Sequence, residues 1–243
     1  MKLFIGVSLI LLGISNSYGW GYQKQGNNTP SIGRYNEIIS PYDVFYVGDT
    51  DKKEIYLTFD TGYETGNTSH LLDTLKEHNV PAAFFVTGHF ISEHPELIKR
   101  MYDEGHIVGN HTWSHPDLTS LTGKEVELEL SKIENKYYDI TNTEMLKFIR
   151  PPRGTFSPKS LTALDDLGYV TVFWSLAYVD WYQNQQRGWE YAYNSVMDTI
   201  HNGAIILMHT VSNDNKEALE QILTDLDKQG YQFKPLTNLI SDL

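Results

Sequence analysis

Short apolar runs alternate with helix-forming segments seven times between residues 54 and 233 of this 243-residue chain. The runs are continuous rather than interrupted at every second residue, as in Ala82 to Val86 and Ala204 to Met208. Continuous apolar strands joined by helices are typical of a parallel sheet that is covered on both faces. The pattern predicts an α/β fold, a distorted (β/α) barrel of about seven parallel strands, in preference to a doubly wound sheet.

The first residues are typical of an export signal. A lysine at position 2 precedes about a dozen apolar residues, Leu3 to Ile14, and Ser17-Tyr18-Gly19 offers a small-x-small cleavage site. We expect residues 1–19 to be a signal peptide that is cut after Gly19. A retained N-terminal anchor is the alternative.

The rest of the chain divides in two. Residues 20–40 are rich in Gly, Asn, Gln and Tyr, so 20–53 is expected to form an N-terminal extended arm. Residues 54–243 carry the strand and helix pattern and are expected to form one domain. With the signal peptide, this predicts a protein exported across the membrane, with its substrate outside.

Charge and cysteine content exclude several functions. The formal net charge is −12 and there is no basic run, so nucleic acid is not expected as a partner. No protein partner is predicted either. The absence of cysteine excludes a disulfide scaffold, a thiol nucleophile and a cysteine-based zinc site. Metal ligands, if the protein uses any, must come from His, Asp and Glu.

Ionisable side chains follow five of the seven predicted strands. In β/α barrels the active site gathers at the C-terminal ends of the strands, so these side chains are expected to meet. They are Asp60, the pair His111 and His115, Arg150, Asp180 and His209.

His111 and His115 are four residues apart. On one helical turn both imidazoles would face the same way, an arrangement that holds a divalent ion. Most isolated pairs with this spacing bind nothing, but a position directly after a buried strand favours a site.

The other strand-end residues each have an ordinary alternative. Asp60 could be a turn aspartate, or a base that deprotonates water beside a metal. Arg150 could be a surface residue. The two prolines after it restrict the backbone, however, which suits an arginine that pairs with a carboxylate. His209 could be a neutral core histidine, or a side chain that emerges from the core at a fixed angle.

Five motifs in chain order carry a resemblance to a known family. They are TFDTG at 58–62, HTWSH at 111–115, RPPRG at 150–154, the pair Asp180-Trp181 and LMH at 207–209. Together they resemble the polysaccharide deacetylases with the NodB homology domain (carbohydrate esterase family 4), over about residues 54–240. That family removes N-acetyl groups from chitin, peptidoglycan and related polymers with the help of a metal ion, and its fold is a distorted (β/α) barrel.

Longer strings narrow the resemblance. TFDTGYETG, RPPRGTFS and ILMHTVS are similar to the spore-cortex branch, which deacetylates N-acetylmuramic acid on the route to muramic δ-lactam. The resemblance thus implies peptidoglycan glycan strands as the substrate, in the cell wall or the spore cortex space.

The resemblance also implies a role for seven of the ten candidate site residues. Asp60 would be the general base and His209 the general acid, with Arg150 and Asp180 orienting and tuning them. His111 and His115 would bind a divalent metal, zinc in the first place, with manganese, cobalt or magnesium as alternatives. The residues expected to bind substrate are Trp113, Trp181, Leu207 (which would line the acetyl pocket) and Arg153.

One position departs from the family pattern. The usual motif has two adjacent aspartates, the second a metal ligand, and here Thr61 stands in that place. The spore-cortex branch is similar in lacking this aspartate, but the loss of a carboxylate should weaken metal binding. Two rival functions stay open. One is a glycosidase with Asp60 and Asp180 as its two carboxylates, and the other is a non-catalytic glycan-binding protein that lost its metal at Thr61.

Overall fold

The structure is a computed structural model that describes residues 17–241. Most of the expected signal peptide, residues 1–16, lies outside the described residues. No helix in the described part of the chain is both long enough and apolar enough to cross a membrane.

Twelve strands are present in the described residues. They are β1 (Tyr18–Gly19), β2 (Gln23–Gln25), β3 (Asn28–Ser31), β4 (Val44–Phe45), β5 (Glu54–Thr61), β6 (Ala82–Val86), β7 (Ile107–Asn110), β8 (Phe148–Ile149), β9 (Thr155–Phe156), β10 (Val170–Val172), β11 (Ile205–His209) and β12 (Gln232–Phe233).

Seven of these strands form one curled parallel sheet in the order β11-β5-β6-β7-β8-β10-β4, and β12 adds to it beside β5. After β10 the chain runs beside β11, where the Leu207 N–H donates to the Leu176 carbonyl at 2.9 Å. The predicted distorted barrel of about seven parallel strands is confirmed.

Nine α-helices pack around the sheet in the described residues. They are α1 (Tyr35–Ile39), α2 (Thr68–Glu77), α3 (Gly88–Glu93), α4 (Pro95–Asp103), α5 (Gly123–Thr141), α6 (Pro158–Asp166), α7 (Trp189–Met197), α8 (Asn213–Lys228) and α9 (Thr237–Ser241).

Local sequence fixes where several helices begin. Thr122 and Glu125 form a reciprocal capping box at the start of α5, and the Ser212 hydroxyl accepts from the Asn215 N–H at the start of α8. Such caps satisfy backbone N–H groups that have no partner inside the helix.

The segment 20–53 contains more regular structure than an extended arm. It contains the antiparallel pair β2 and β3, the short helix α1, and β4, which pairs with β10 at the edge of the main sheet. Strand β1 pairs with β9 across the site where cleavage after Gly19 was expected. That cleavage site stays a prediction.

Side-chain alternation along the strands decides which residues face the barrel interior. Tyr56, Phe85, Ile107, Phe148 and Ile205 pack together in one buried cluster. Because successive side chains of a strand point to opposite faces, residues two or four positions further on face the same interior. At the C-terminal ends those residues are Asp60, His111, Arg150, Leu207 and His209.

Candidate active site

The C-terminal ends of the strands surround a cavity of about 1070 Å³. Eight of the ten expected site residues line it: Asp60, His111, Trp113, His115, Arg153, Trp181, Leu207 and His209. Arg150 and Asp180 lie behind this lining and are bonded to residues in it.

Asp60 is held by a buried arginine. The Arg150 Nη1 donates to Asp60 Oδ1 at 2.9 Å, and its Nε donates to the Val172 carbonyl at 3.1 Å. The guanidinium is fully buried and lies 4.3 Å from the centre of the Phe85 ring. Burial alone would raise the pKa of Asp60, but its electrostatic interactions with His111, Arg150 and His209 outweigh this effect and hold the pKa below its usual value. Asp60 is therefore ionised at neutral pH.

His111 has a fixed tautomer. Its Nδ1 lies 2.7 Å from the Arg150 carbonyl, and because a carbonyl only accepts, Nδ1 carries the proton. The lone pair of Nε2 is then free, and this nitrogen lies 3.5 Å from Asp60 Oδ2. Burial is the main cause that lowers the pKa of His111, which keeps the ring neutral. A neutral ring with one nitrogen tied to a carbonyl is the form in which histidine binds metals.

The expected helical turn between His111 and His115 is wrong. Residues 111–116 form a loop, in which Thr112 has φ 67° and His115 has φ 56°. Two left-handed residues fold the backbone back on itself, and the Thr112 hydroxyl accepts from the His115 N–H at 3.1 Å. The two rings still meet, with their centres 4.9 Å apart. Burial lowers the pKa of His115 to about 4, so this ring is also neutral.

The two imidazoles fit a divalent ion as a pair of neutral nitrogen ligands. Within residues 17–241, no group of three or more His, Cys, Asp or Glu side chains is arranged to hold a metal. Thr61, in the place of the family's second aspartate, is fully buried, and its Oγ1 has no hydrogen-bond partner in the described part of the chain. Any ion held here would have two protein nitrogens and, near them, Asp60.

His209 is held by Asp180 at two points. Asp180 Oδ1 accepts from His209 Nδ1 at 2.7 Å, and Oδ2 accepts from the His209 backbone N–H at 2.8 Å. Burial alone would lower the pKa of His209, but Asp180, with a smaller contribution from Asp60, raises it above its usual value. The ring therefore favours its protonated form, and its edge faces the cavity. This is the environment that a general acid needs.

Two residues behind this pair were not foreseen from the sequence. The Asn215 Nδ2 donates to Asp180 Oδ2 at 2.7 Å and to the His209 carbonyl at 3.0 Å. The Tyr178 hydroxyl donates to Asn215 Oδ1 at 2.6 Å, which fixes the orientation of the amide. Burial raises the pKa of Tyr178 well above its usual value, so the hydroxyl stays a donor. Neither residue belongs to one of the five motifs, so the sequence carried no signal for them.

Asn110 supports the histidine loop in a similar way. Its Oδ1 accepts from the Thr112 N–H at 2.9 Å, and its Nδ2 donates to the Leu130 carbonyl and to the Tyr169 hydroxyl. The side chain is fully buried. It ties the left-handed turn at Thr112 to helix α5.

The expected substrate-binding residues form the walls of the cavity. The exposed ring of Trp181 lies 5.6 Å from the His209 ring, centre to centre. Trp113 is partly buried and packs against the main core cluster, and Leu207 is buried on β11. Arg153 has φ 58° and donates from Nη2 to the His115 carbonyl at 3.2 Å.

Comparisons with known proteins show which family the chain resembles. A family model described as polysaccharide deacetylase matches residues 47–172. The peptidoglycan-N-acetylmuramic acid deacetylase PdaA of Bacillus subtilis is 50% identical over 223 residues, covering 91% of this chain and 85% of that protein.

Solved structures extend the comparison. That of Bacillus subtilis PdaA, a family 4 carbohydrate esterase, matches with a TM-score of 0.91 and 49% identity over 93% of this chain and 97% of that one. A family 4 carbohydrate esterase from Bacillus anthracis matches with a TM-score of 0.79 and 42% identity over 94% and 98% of the two chains. A pseudoenzyme of the same family from Bacillus anthracis matches with a TM-score of 0.73 and 31% identity over 81% and 68%.

Members of this family are hydrolases that generally depend on a metal ion. The resemblance seen in the five motifs is confirmed by a family model that covers just over half of the chain and by a relative of which the chain covers most of the length. The chain belongs to the polysaccharide deacetylase family.

Proposed function

We propose that this protein hydrolyses the N-acetyl group of N-acetylmuramic acid in the glycan strands of peptidoglycan. The observation that carries the proposal is that a base and an acid line the same cavity. Asp60 is ionised and fixed by Arg150, and His209 is held in its protonated form by Asp180. A base and an acid kept in opposite protonation states are what amide hydrolysis requires. The identity of 50% to a muramic acid deacetylase supports the choice of sugar.

Asp60 is assigned the role of general base. Its lowered pKa keeps it ionised, and the hydrogen bond from Arg150 occupies Oδ1, which leaves Oδ2 to accept a proton from water. The water oxygen then bonds to the acetyl carbon, which becomes tetrahedral. The apolar Leu207 on the cavity wall is assigned to the acetyl methyl group.

His209 is assigned the role of general acid. Asp180 holds the proton on Nδ1, so the proton to be transferred is the one on Nε2. As the carbon–nitrogen bond breaks, that proton goes to the leaving nitrogen, and the products are acetate and the free amine of the sugar. Without it the leaving group would be an amide anion, so the raised pKa of His209 serves the reaction.

His111 and His115 are assigned as the ligands of a divalent ion, with zinc proposed first because both ligands are neutral imidazoles. When bound, such an ion supplies Lewis-acid polarisation of the acetyl carbonyl and of water. Trp113 and Trp181 are assigned as faces on which sugar rings stack.

The cellular setting follows from the substrate. Peptidoglycan lies outside the membrane, so we propose that residues 1–19 direct export and that the protein acts in the cell wall or spore cortex space. The deacetylated muramic acid would stand on the route to muramic δ-lactam.

The proposal is tested by acetate release from glycan strands that have been stripped of peptide. We expect acetate from these strands but not from chitin oligomers, loss of release after treatment with a chelator, and recovery with added zinc. Asp60→Asn is the matched inactive control, because it keeps the shape of the side chain and removes the base. Release that is unaffected by the chelator would overturn the metal assignment, and release from chitin oligomers alone would overturn the choice of sugar.

A second candidate function is favoured by one observation. Thr61 leaves the site without the third ligand of the family pattern, and a structural relative is described as a pseudoenzyme. A non-catalytic protein would bind stripped glycan strands, retain that affinity in Asp60→Asn, and release no acetate with any metal.

A further inference from the structure

Arg153 differs in one respect from the other residues that line the cavity. Among the described lining residues it is the only lysine or arginine, and Asp60 is the only carboxylate. Asp60 is already bonded to Arg150 behind the wall. The cavity therefore contains one cation at its surface without a carboxylate of its own to face it.

The guanidinium of Arg153 is anchored but not neutralised. Its Nη2 donates to the His115 carbonyl, which leaves the other donors of the fork available. In the described residues no carboxylate oxygen lies within 4 Å of it. Asp117, an acidic group that interacts electrostatically with Arg153, lies outside the cavity lining, and its Oδ1 accepts from Thr119 and Thr155.

The backbone of Arg153 is also held in an unfavourable conformation. Its φ of 58° lies in the left-handed region, where a residue with a long side chain is uncommon. The bond to the His115 carbonyl places this arginine next to the histidine pair of the reacting centre. A chain of net charge −12 would otherwise repel an anionic substrate, so a local cation at this place favours an anion.

We propose that Arg153 binds the lactyl carboxylate of N-acetylmuramic acid and so selects this sugar over N-acetylglucosamine. The inference rests on the proposed deacetylase function. The two sugars differ in the lactyl ether on C3, next to the C2 carbon that carries the acetamido group. A residue beside the histidines is therefore well placed to meet that substituent. Arginine pairs with carboxylates through two parallel hydrogen bonds, which gives geometric selection as well as attraction.

The proposal predicts that the preferred substrate is free of peptide. A stem peptide converts the lactyl carboxylate into a neutral amide, which removes the charge that Arg153 recognises. Stripped strands carry one free carboxylate on every muramic residue.

The test compares two substrates in the wild type and three variants. One substrate is peptide-stripped glycan strands, and the other is the same strands with the lactyl carboxylates converted to methylamides. We expect the wild type to lose about tenfold to a hundredfold in kcat/KM on the amidated strands, mainly through KM. Arg153→Gln should show that loss on the native strands and no further loss on the amidated ones. Arg153→Lys keeps the charge without the fork and should fall between the two.

Arg187→Gln is the control for the loss of one positive charge, because Arg187 stacks on Tyr191 and does not line the cavity. It should keep the wild-type ratio between the substrates. The same ratio in Arg153→Gln would overturn the assignment of Arg153 while leaving the deacetylase function intact. No acetate from either substrate with the metal-loaded wild type would overturn the deacetylase function and this inference with it.

Discussion

Asp180 contacts His209 through both of its oxygens, one on the ring Nδ1 at 2.7 Å and one on the backbone N–H at 2.8 Å. The first contact sets the tautomer and raises the pKa of the ring, and the second fixes the strand end from which the ring projects. A single carboxylate therefore controls both the protonation and the position of the proposed acid.

Asp180→Asn should shift the pH dependence of the reaction. The acid is active when protonated, so activity falls as the pH rises through the pKa of His209. An amide in place of the carboxylate removes the charge that raises this pKa, so the alkaline limb of kcat/KM should move to lower pH. The rate at the optimum should also fall, by about a hundredfold or more, since the tautomer is no longer fixed. A variant that folds normally and keeps the wild-type limb would contradict the role of Asp180.

Asn215 and Tyr178 should act as one unit. Asn215→Ala removes two donors, one to Asp180 and one to the His209 carbonyl, and we expect kcat to fall about tenfold. Tyr178→Phe removes only the hydroxyl that orients the amide and should cost less.

The double variant distinguishes this relay from two independent effects. If Tyr178 acts through Asn215, the double variant should be no slower than Asn215→Ala alone. Losses in kcat that add in full would mean that the two residues contribute separately. Thermal unfolding of all three variants checks that the comparison is between folded proteins.

The fold could be predicted because most of its strands are short apolar runs that can be recognised in the sequence. Six of the seven expected strands are short, mainly apolar runs followed by a helical pattern, and all seven expected strands are present. The strand Val44–Phe45 was missed because it has only two residues and lies before the alternation of strands and helices begins. Only its pairing with β10 makes it a strand. The segment 20–53, which was expected to form an extended arm, therefore contributes one strand to the main sheet.

The site was predictable to the extent that strand ends determine it. Asp60, Arg150 and His209 each follow an apolar strand, and alternation along those strands places them on the interior face. The turn at 111–116 was not predictable in the same way, because its shape depends on left-handed residues that Asn110 supports from a buried position. Asn215 was missed because its partners lie on two other elements.

His115→Ala should weaken metal binding without loss of the fold. The ring is neutral and lies beside that of His111, so its removal leaves one imidazole and we expect the affinity for zinc to fall at least about tenfold. Calorimetric titration of the metal-free protein with zinc measures this directly. His89→Ala is the matched control, because His89 lines the same cavity against Tyr63 and outside the pair. Equal zinc affinity in the two variants would contradict the assignment of His115.

His106 should make the protein less stable in mild acid. The ring is buried: Nδ1 accepts from the Ala82 N–H at 3.2 Å, and Nε2 has no hydrogen-bond partner among the described residues. Burial lowers its pKa from 6.5 to about 4. Between these two values the unfolded chain binds more protons than the folded one, so stability is constant above the higher value and falls as the pH drops towards the lower one. The loss from this residue should reach about 3 kcal/mol at most.

Urea unfolding at about pH 7.5 and about pH 5 tests this expectation. His106→Asn keeps an acceptor for the Ala82 N–H and cannot take up a proton, so the variant should be less stable than the wild type at the higher pH but lose less on acidification. His70→Asn, at an exposed position on helix α2, should leave the wild-type difference unchanged. If His106→Asn loses as much stability as the wild type between the two pH values, the acid sensitivity arises elsewhere, and His115, whose pKa is also lowered to about 4, is the next residue to replace.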